Sequence, residues 1–168
     1  VWIKEPEAGS YVSWHQDCTY YGMYPLELVS AWVALSPATE ETGCMQVAPG
    51  SHKFGELPVD YSELNDDNLL TSGMRAQYEI DEFKVVPMEL QPGEMSLHHV
   101  GVVHSSLPNH GTDRRVGIAG GYVPPHVRQT TDLLASAMLL RGEDRYGHFP
   151  LDEVPPVSPH DPATIACH

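Results

Sequence analysis

Basic residues are scarce here. The chain carries nine Lys and Arg against 23 Asp and Glu, a formal charge of -14 over 168 residues. Nucleic acids and anionic membranes are bound through clustered cations, so neither is expected as a partner. No apolar run approaches the roughly 18 residues of a membrane span. The opening Val1-Trp2-Ile3-Lys4-Glu5 lacks the build of a secretion signal. Cysteine is also rare: Cys18, Cys44 and Cys167 are an odd number with no Cys-x-x-Cys pair. That argues against a disulfide frame or a zinc knuckle and for reduced thiols in a cytoplasmic protein. Internal repeats are missing, and so is any convincing run of helical periodicity.

What is present is a series of short apolar stretches between Gly/Pro turns. Residues 11–17 read as a strand. Residues 26–35 (LELVSAWVAL) read as a buried strand stopped by Ser36-Pro37. Residues 44–48, one or two stretches within 78–88 that include Phe83 and Val85, and 114–123 add further strands. Residues 95–98 and 102–105 suggest a hairpin that His104 closes. Residues 55–73 are a polar excursion with room for one helical turn at 61–70, and excursions of this length tend to be binding loops. A helix over 132–141 is a weaker alternative to extended chain, and the Pro-rich residues 149–162 should lie extended over the surface. This is an all-β pattern, and a sandwich, barrel or jelly roll is expected.

Ten histidines are generous for this length, and one of them is well placed. In Ser13-Trp14-His15-Gln16-Asp17, His15 and Asp17 stand two apart, so an extended backbone points both to one face. One imidazole and one carboxylate make two thirds of a 2-His-1-carboxylate triad for non-haem Fe(II). His104 is the candidate third ligand. Arg115, at the start of the following strand, can pair bidentately with the far carboxylate of an anionic cosubstrate.

The ordered set His15-x-Asp17, Ala31-Trp32, Thr42-Gly43-Cys44, Pro49-Gly50-Ser51-His52-Lys53, Pro92-Gly93-Glu94, His104-x-Ser106-x-Pro108-Asn109 and Arg115 resembles the phytanoyl-CoA dioxygenase family. The resemblance runs from about residue 13 to residue 123. It implies a double-stranded β-helix (jelly roll, cupin-like) with few short helices, in one domain with its core at 11–123 and an extended tail at 124–168. It implies Fe(II), 2-oxoglutarate and O2 as cofactor and cosubstrates, hydroxylation of a small metabolite, and succinate and CO2 as co-products. By position, His15, Asp17 and His104 match the family's metal ligands, and Arg115 its partner for the cosubstrate carboxylate. Ser106 and Trp32 match further cosubstrate contacts, and Asn109 and Gln16 match positions near the site. Strand alternation, however, points Gln16 away from its two neighbours.

Family members are longer before the His-x-Asp motif. The resemblance therefore implies a jelly roll incomplete at its N-terminus, with exposed edges and apolar surface that favour self-association. Halogenating relatives replace the triad carboxylate with a small residue, so Asp17 implies hydroxylation. Two other readings stand beside this one: a non-catalytic jelly roll that binds a metal or small ligand, and a Zn-dependent hydrolase on the same three side chains.

Overall fold

The computed structural model describes residues 1–81, 84–132 and 135–153. It is built from antiparallel strands with one short α-helix among the described residues. One sheet has the order β1-β11-β4-β9 and the other β2-β10-β5-β8. The first contains β1 (Trp2–Lys4), β4 (Val29–Ala34), β9 (Met95–His99) and β11 (Arg115–Tyr122). The second contains β2 (Val12–His15), β5 (Met45–Val47), β8 (Val86–Met88) and β10 (His104–Ser106). Strands distant in sequence thus lie side by side, as a jelly roll requires. Smaller pairs are β3 (Met23–Tyr24) with β12 (Arg128–Gln129), and β6 (Val59–Asp60) with β7 (Arg75–Ala76).

The core is divided into patches around the space between the sheets. Trp32, Ala34, Ala38 and Cys44 form one. Met45, Val47 and Val102 form a second, and Cys18, Leu28 and Val100 a third. Burial pushes the Cys18 and Cys44 thiols up to about 11. Both are free, buried cysteines that pack as small apolar side chains.

Two glycines are needed for this arrangement. Gly117 lies under the Trp32 indole, where any Cβ would overlap the ring. Gly43 has φ 71° at the turn before β5, and a Cβ there would run into the Leu107 and Pro108 carbonyls.

Several sequence expectations need correction. The first ordered strand starts at Trp2 rather than near residue 11, because β1 pairs with β11 through Trp2↔Gly117, Ile3↔Val116 and Lys4↔Arg115. β2 stops at His15; Gln16 stays extended at φ -117° and ψ 136°, and Asp17 opens the helix α1 (Asp17–Tyr21), which Gly22 closes in a left-handed conformation. Residues 95–98 and 102–105 do not make a hairpin. β9 pairs with β4 in one sheet and β10 with β2 and β5 in the other, so residues 100–103 cross between the sheets. The excursion at 55–73 holds turns and β6, with no helix. Residues 49–53 include the start of a 3-10 turn, Ser51–Phe54. Within 132–141 the described residues carry an isolated bridge, Ala137 to Leu151, and no helix. Phe83, Cys167 and residues 154–162 of the Pro-rich stretch lie outside the described residues.

Candidate metal centre

The centre begins with strand register. β2 and β10 are antiparallel neighbours, and His104 sits directly opposite His15. Their ring centroids are 4.1 Å apart. Each Nδ1 lies near the carbonyl two residues back: His15 near Ser13 O at 2.8 Å and His104 near Val102 O at 3.0 Å. A carbonyl only accepts, so each Nδ1 donates and each neutral ring keeps its lone pair on Nε2. Extended Gln16 then brings Asp17 to the same side. Its Oδ1 is 3.5 Å from His15 Nε2 and 3.7 Å from His104 Nε2.

The three candidate ligand atoms all lie within 4.8 Å of one another. Metal–ligand bonds of about 2.1 Å at right angles put neighbouring donors about 3 Å apart, so a small inward movement lets all three share one ion. Two imidazoles and one carboxylate suit an octahedral Fe(II) with three positions left open.

Electrostatics prepare these donors. Burial alone would raise the Asp17 carboxyl. The His15, His98 and His104 rings packed around it outweigh this and hold it well below the usual carboxylate range. His104 is pushed down to about 3, first by burial and then by His15, which keeps its ring neutral and ready to ligate. The other Asp17 oxygen, Oδ2, accepts from Ser30 Oγ at 2.5 Å and lies 3.7 Å from His98 Nε2. With Oδ2 held, Oδ1 is the oxygen that faces the two Nε2 atoms.

His15, Asp17, Trp32, His104, Ser106 and Arg115 line a single cavity of about 100 Å³ between the sheets. Arg115 is 3% exposed, donates from Nη2 to Gly43 O at 3.1 Å and lies 5.2 Å from the Trp32 ring centre. Its Nε is buried with no partner among the described residues. Burial brings its guanidinium down to about 10, still fully charged at neutral pH. Arg114, one residue earlier, is exposed and pairs with Glu5 at 2.9 Å.

Two residues expected near the site are elsewhere. Gln16 is fully buried, but its amide donates to Gly55 O and Gly101 O and accepts from Leu57 N. It braces the sheet crossover and the excursion behind the centre. Asn109 donates to Lys4 O and Asp113 O and accepts from Gly111 N, so it shapes the loop before β11. Conversely, Ser30 was missed. The signal for Ser30 was its place two residues before Trp32, on the same face of β4. His98 also lines the cavity.

Residues 1–117 match the family model described as "Phytanoyl-CoA dioxygenase (PhyH)". The chain belongs to the phytanoyl-CoA dioxygenase family. It is 30% identical over 147 residues to a probable alpha-ketoglutarate-dependent hypophosphite dioxygenase of Stutzerimonas stutzeri, a match covering 86% of this chain and 47% of that protein. It is 32% identical over 110 residues to phytanoyl-CoA dioxygenase 1 of Oryza sativa subsp. japonica, covering 64% of this chain and 37% of that protein. Among solved structures it resembles apo ThoJ, a non-heme monooxygenase, with a TM-score of 0.81 and 33% identity over 98% of this chain and 58% of that one. It also resembles EvdO2 from Micromonospora carbonacea var. aurantiaca complexed with 2-oxoglutarate, with a TM-score of 0.57 and 27% identity over 70% of this chain and 46% of that one. The chain spans about half the length of the curated relatives it matches, or less. Family membership and a jelly-roll fold of the phytanoyl-CoA dioxygenase type follow from these matches.

Proposed function

We propose that this phytanoyl-CoA dioxygenase-like chain carries the centre of an Fe(II)- and 2-oxoglutarate-dependent oxygenase that hydroxylates a small molecule. One observation carries the reading: a His-Asp-His group and a buried Arg with no carboxylate partner among the described residues line the same cavity. A Zn hydrolase needs the three ligands but has no use for a buried guanidinium aimed at a dicarboxylate. Iron bound by His15, Asp17 and His104 would supply O2 activation coupled to oxidative decarboxylation of the cosubstrate.

The protein's own contributions are geometric and electrostatic. The two Nδ1 bonds hold the imidazoles in register, and Ser30 fixes the Asp17 carboxylate. Arg115 and Ser106 receive the distal carboxylate of 2-oxoglutarate, and Trp32 walls that end. The metal-side cavity is small, but Tyr21 borders both it and a second cavity of about 500 Å³ lined by apolar residues such as Met23, Leu28 and Phe149. A substrate larger than a few atoms would reach the centre past Tyr21. With Asp17 filling the position a halide would take, the outcome is hydroxylation without chloride dependence. We also assign the protein to the cytoplasm, on the free Cys18 and Cys44, and expect copies to associate through exposed apolar surface.

The test is a substrate screen on iron-loaded protein, read by succinate formation and product mass, with and without chloride. Succinate coupled to a product 16 mass units heavier is expected, a shift set by one added oxygen atom. No turnover of any candidate, or a chlorinated product, contradicts the assignment.

A further inference from the structure

The largest side chain that is completely buried among the described residues is a cation, Lys4. β1 places it opposite Arg115 of β11. Neither has a carboxylate partner among the described residues. Two buried cations side by side are unfavourable without an anion to complete them. Burial, then the charge of Arg115, pushes the Lys4 ammonium down to about 7.

The Lys4 ammonium donates to Ser106 O at 3.0 Å, to Ser106 Oγ at 2.7 Å and to the Leu107 carbonyl. This sets the direction of the Ser106 hydroxyl. Its oxygen accepts from Lys4, so its own proton is left to donate, and Ser106 shares the cavity wall with Arg115. Lys4 itself does not line the cavity.

We propose that Lys4 is a positioning residue for the distal carboxylate of the cosubstrate. It turns the Ser106 hydroxyl into a donor toward that carboxylate and, with Arg115, biases the pocket toward a dicarboxylate over a 2-oxo monocarboxylate. The proposal rests on the oxygenase reading above. The plain alternative is that Lys4 only ties β1 to the end of β10.

Binding of 2-oxoglutarate and of 2-oxopentanoate, which has the same carbon chain without the distal carboxylate, separates the two. Both are titrated calorimetrically into Mn(II)-loaded protein at low temperature, where destabilised variants remain folded. In Lys4→Met, 2-oxoglutarate affinity is expected to fall on the order of tenfold, the loss of one charge-supported contact. Affinities for 2-oxopentanoate and for Mn(II) are expected to stay within about twofold, and adding Ser106→Ala should cost little more, since both act on one carboxylate. If Lys4→Met is not recovered folded, Lys4→Gln keeps a donor for Ser106 Oγ and removes the charge, with a smaller loss in the same direction. Ser106→Ala alone must likewise weaken only the dicarboxylate. Equal weakening of both ligands, or unchanged 2-oxoglutarate binding, reduces Lys4 to a structural tie and overturns the proposal. Wild-type protein that binds Mn(II) but does not favour 2-oxoglutarate overturns the oxygenase reading, and this proposal with it, whatever Lys4→Met does.

Discussion

The two faces of the β1-β11-β4-β9 sheet differ: beside Trp32 and Ala34 the inner face buries polar groups, and the outer face exposes large apolar ones. Facing inward, Lys4, Ser30, Ser96 and Arg115 are all 5% exposed or less. On alternate residues of the same strands, Ile3, Ile118, Met95 and Leu97 are between 44% and 63% exposed. Polar groups are normally buried only with partners or a task, and contiguous exposed apolar patches tend to mark contact surfaces. Strand alternation fixes which residues share a face, but not which face is buried. On the reading proposed above, the buried polar groups serve the site at a cost in desolvation, and the outer apolar row is the surface expected to carry association.

The comparison predicts that substitutions on the inner side act on ligands and those on the outer side on association. The largest effect is expected from Asp17→Ala, which removes a ligand itself. Metal affinity should drop by more than the ~10–100-fold typical of losing an outer partner, and hydroxylation should vanish, as read by calorimetry and product assay. Next is Arg115→Leu. It should cost on the order of 2–5 kcal/mol of 2-oxoglutarate binding with metal affinity nearly intact, while Arg114→Leu changes neither. Ser30→Ala frees Asp17 Oδ2 and should weaken Mn(II) binding toward the lower end of that ~10–100-fold range. On the outer face, Leu97→Lys should reduce self-association in sedimentation while changing monomer stability by only about 0.5 kcal/mol and leaving metal affinity alone. A Leu97→Lys effect on the metal, or none on association, breaks the comparison.

The centre also sets a pH dependence. His104 falls from an ordinary 6.5 to about 3 in the folded protein. Between these values the unfolded chain binds more protons, so the stability His104 contributes is present above about 6.5 and lost as pH falls toward 3. Thermal melts of metal-free protein across that window are expected to show Tm falling with acid, and His104→Gln should flatten the slope.

Much of the centre could be read from the sequence because its parts are local or ordered. His15 and Asp17 need only an extended residue between them, and Gln16 supplies one even though Asp17 already belongs to α1. Arg114 lies just before β11 and Arg115 opens it, and extended backbone alone turns one outward and the other inward. The all-β class followed from short apolar segments between turns, and the jelly roll from the family resemblance. Pairing did not follow, because β9 and β10 look like a hairpin until each finds its partners in a different sheet. Lys4 was invisible for a related reason. A three-residue strand carries little pattern, and its meaning comes from Arg115 and Ser106 far along the chain. Gln16 and Asn109 were drawn to the site by motif position, whereas their amides satisfy buried backbone groups around it.

The central claim is that His15, Asp17, His104 and Arg115 act on one metal and one dicarboxylate. Anaerobic titration of the protein with Fe(II) and then 2-oxoglutarate tests this most directly. A weak visible charge-transfer band that saturates with 2-oxoglutarate is predicted, absent in Asp17→Ala and shifted to higher 2-oxoglutarate concentration in Arg115→Leu. Fe(II) that binds and gives no such band, or a band that Arg115→Leu leaves unchanged, would contradict the account.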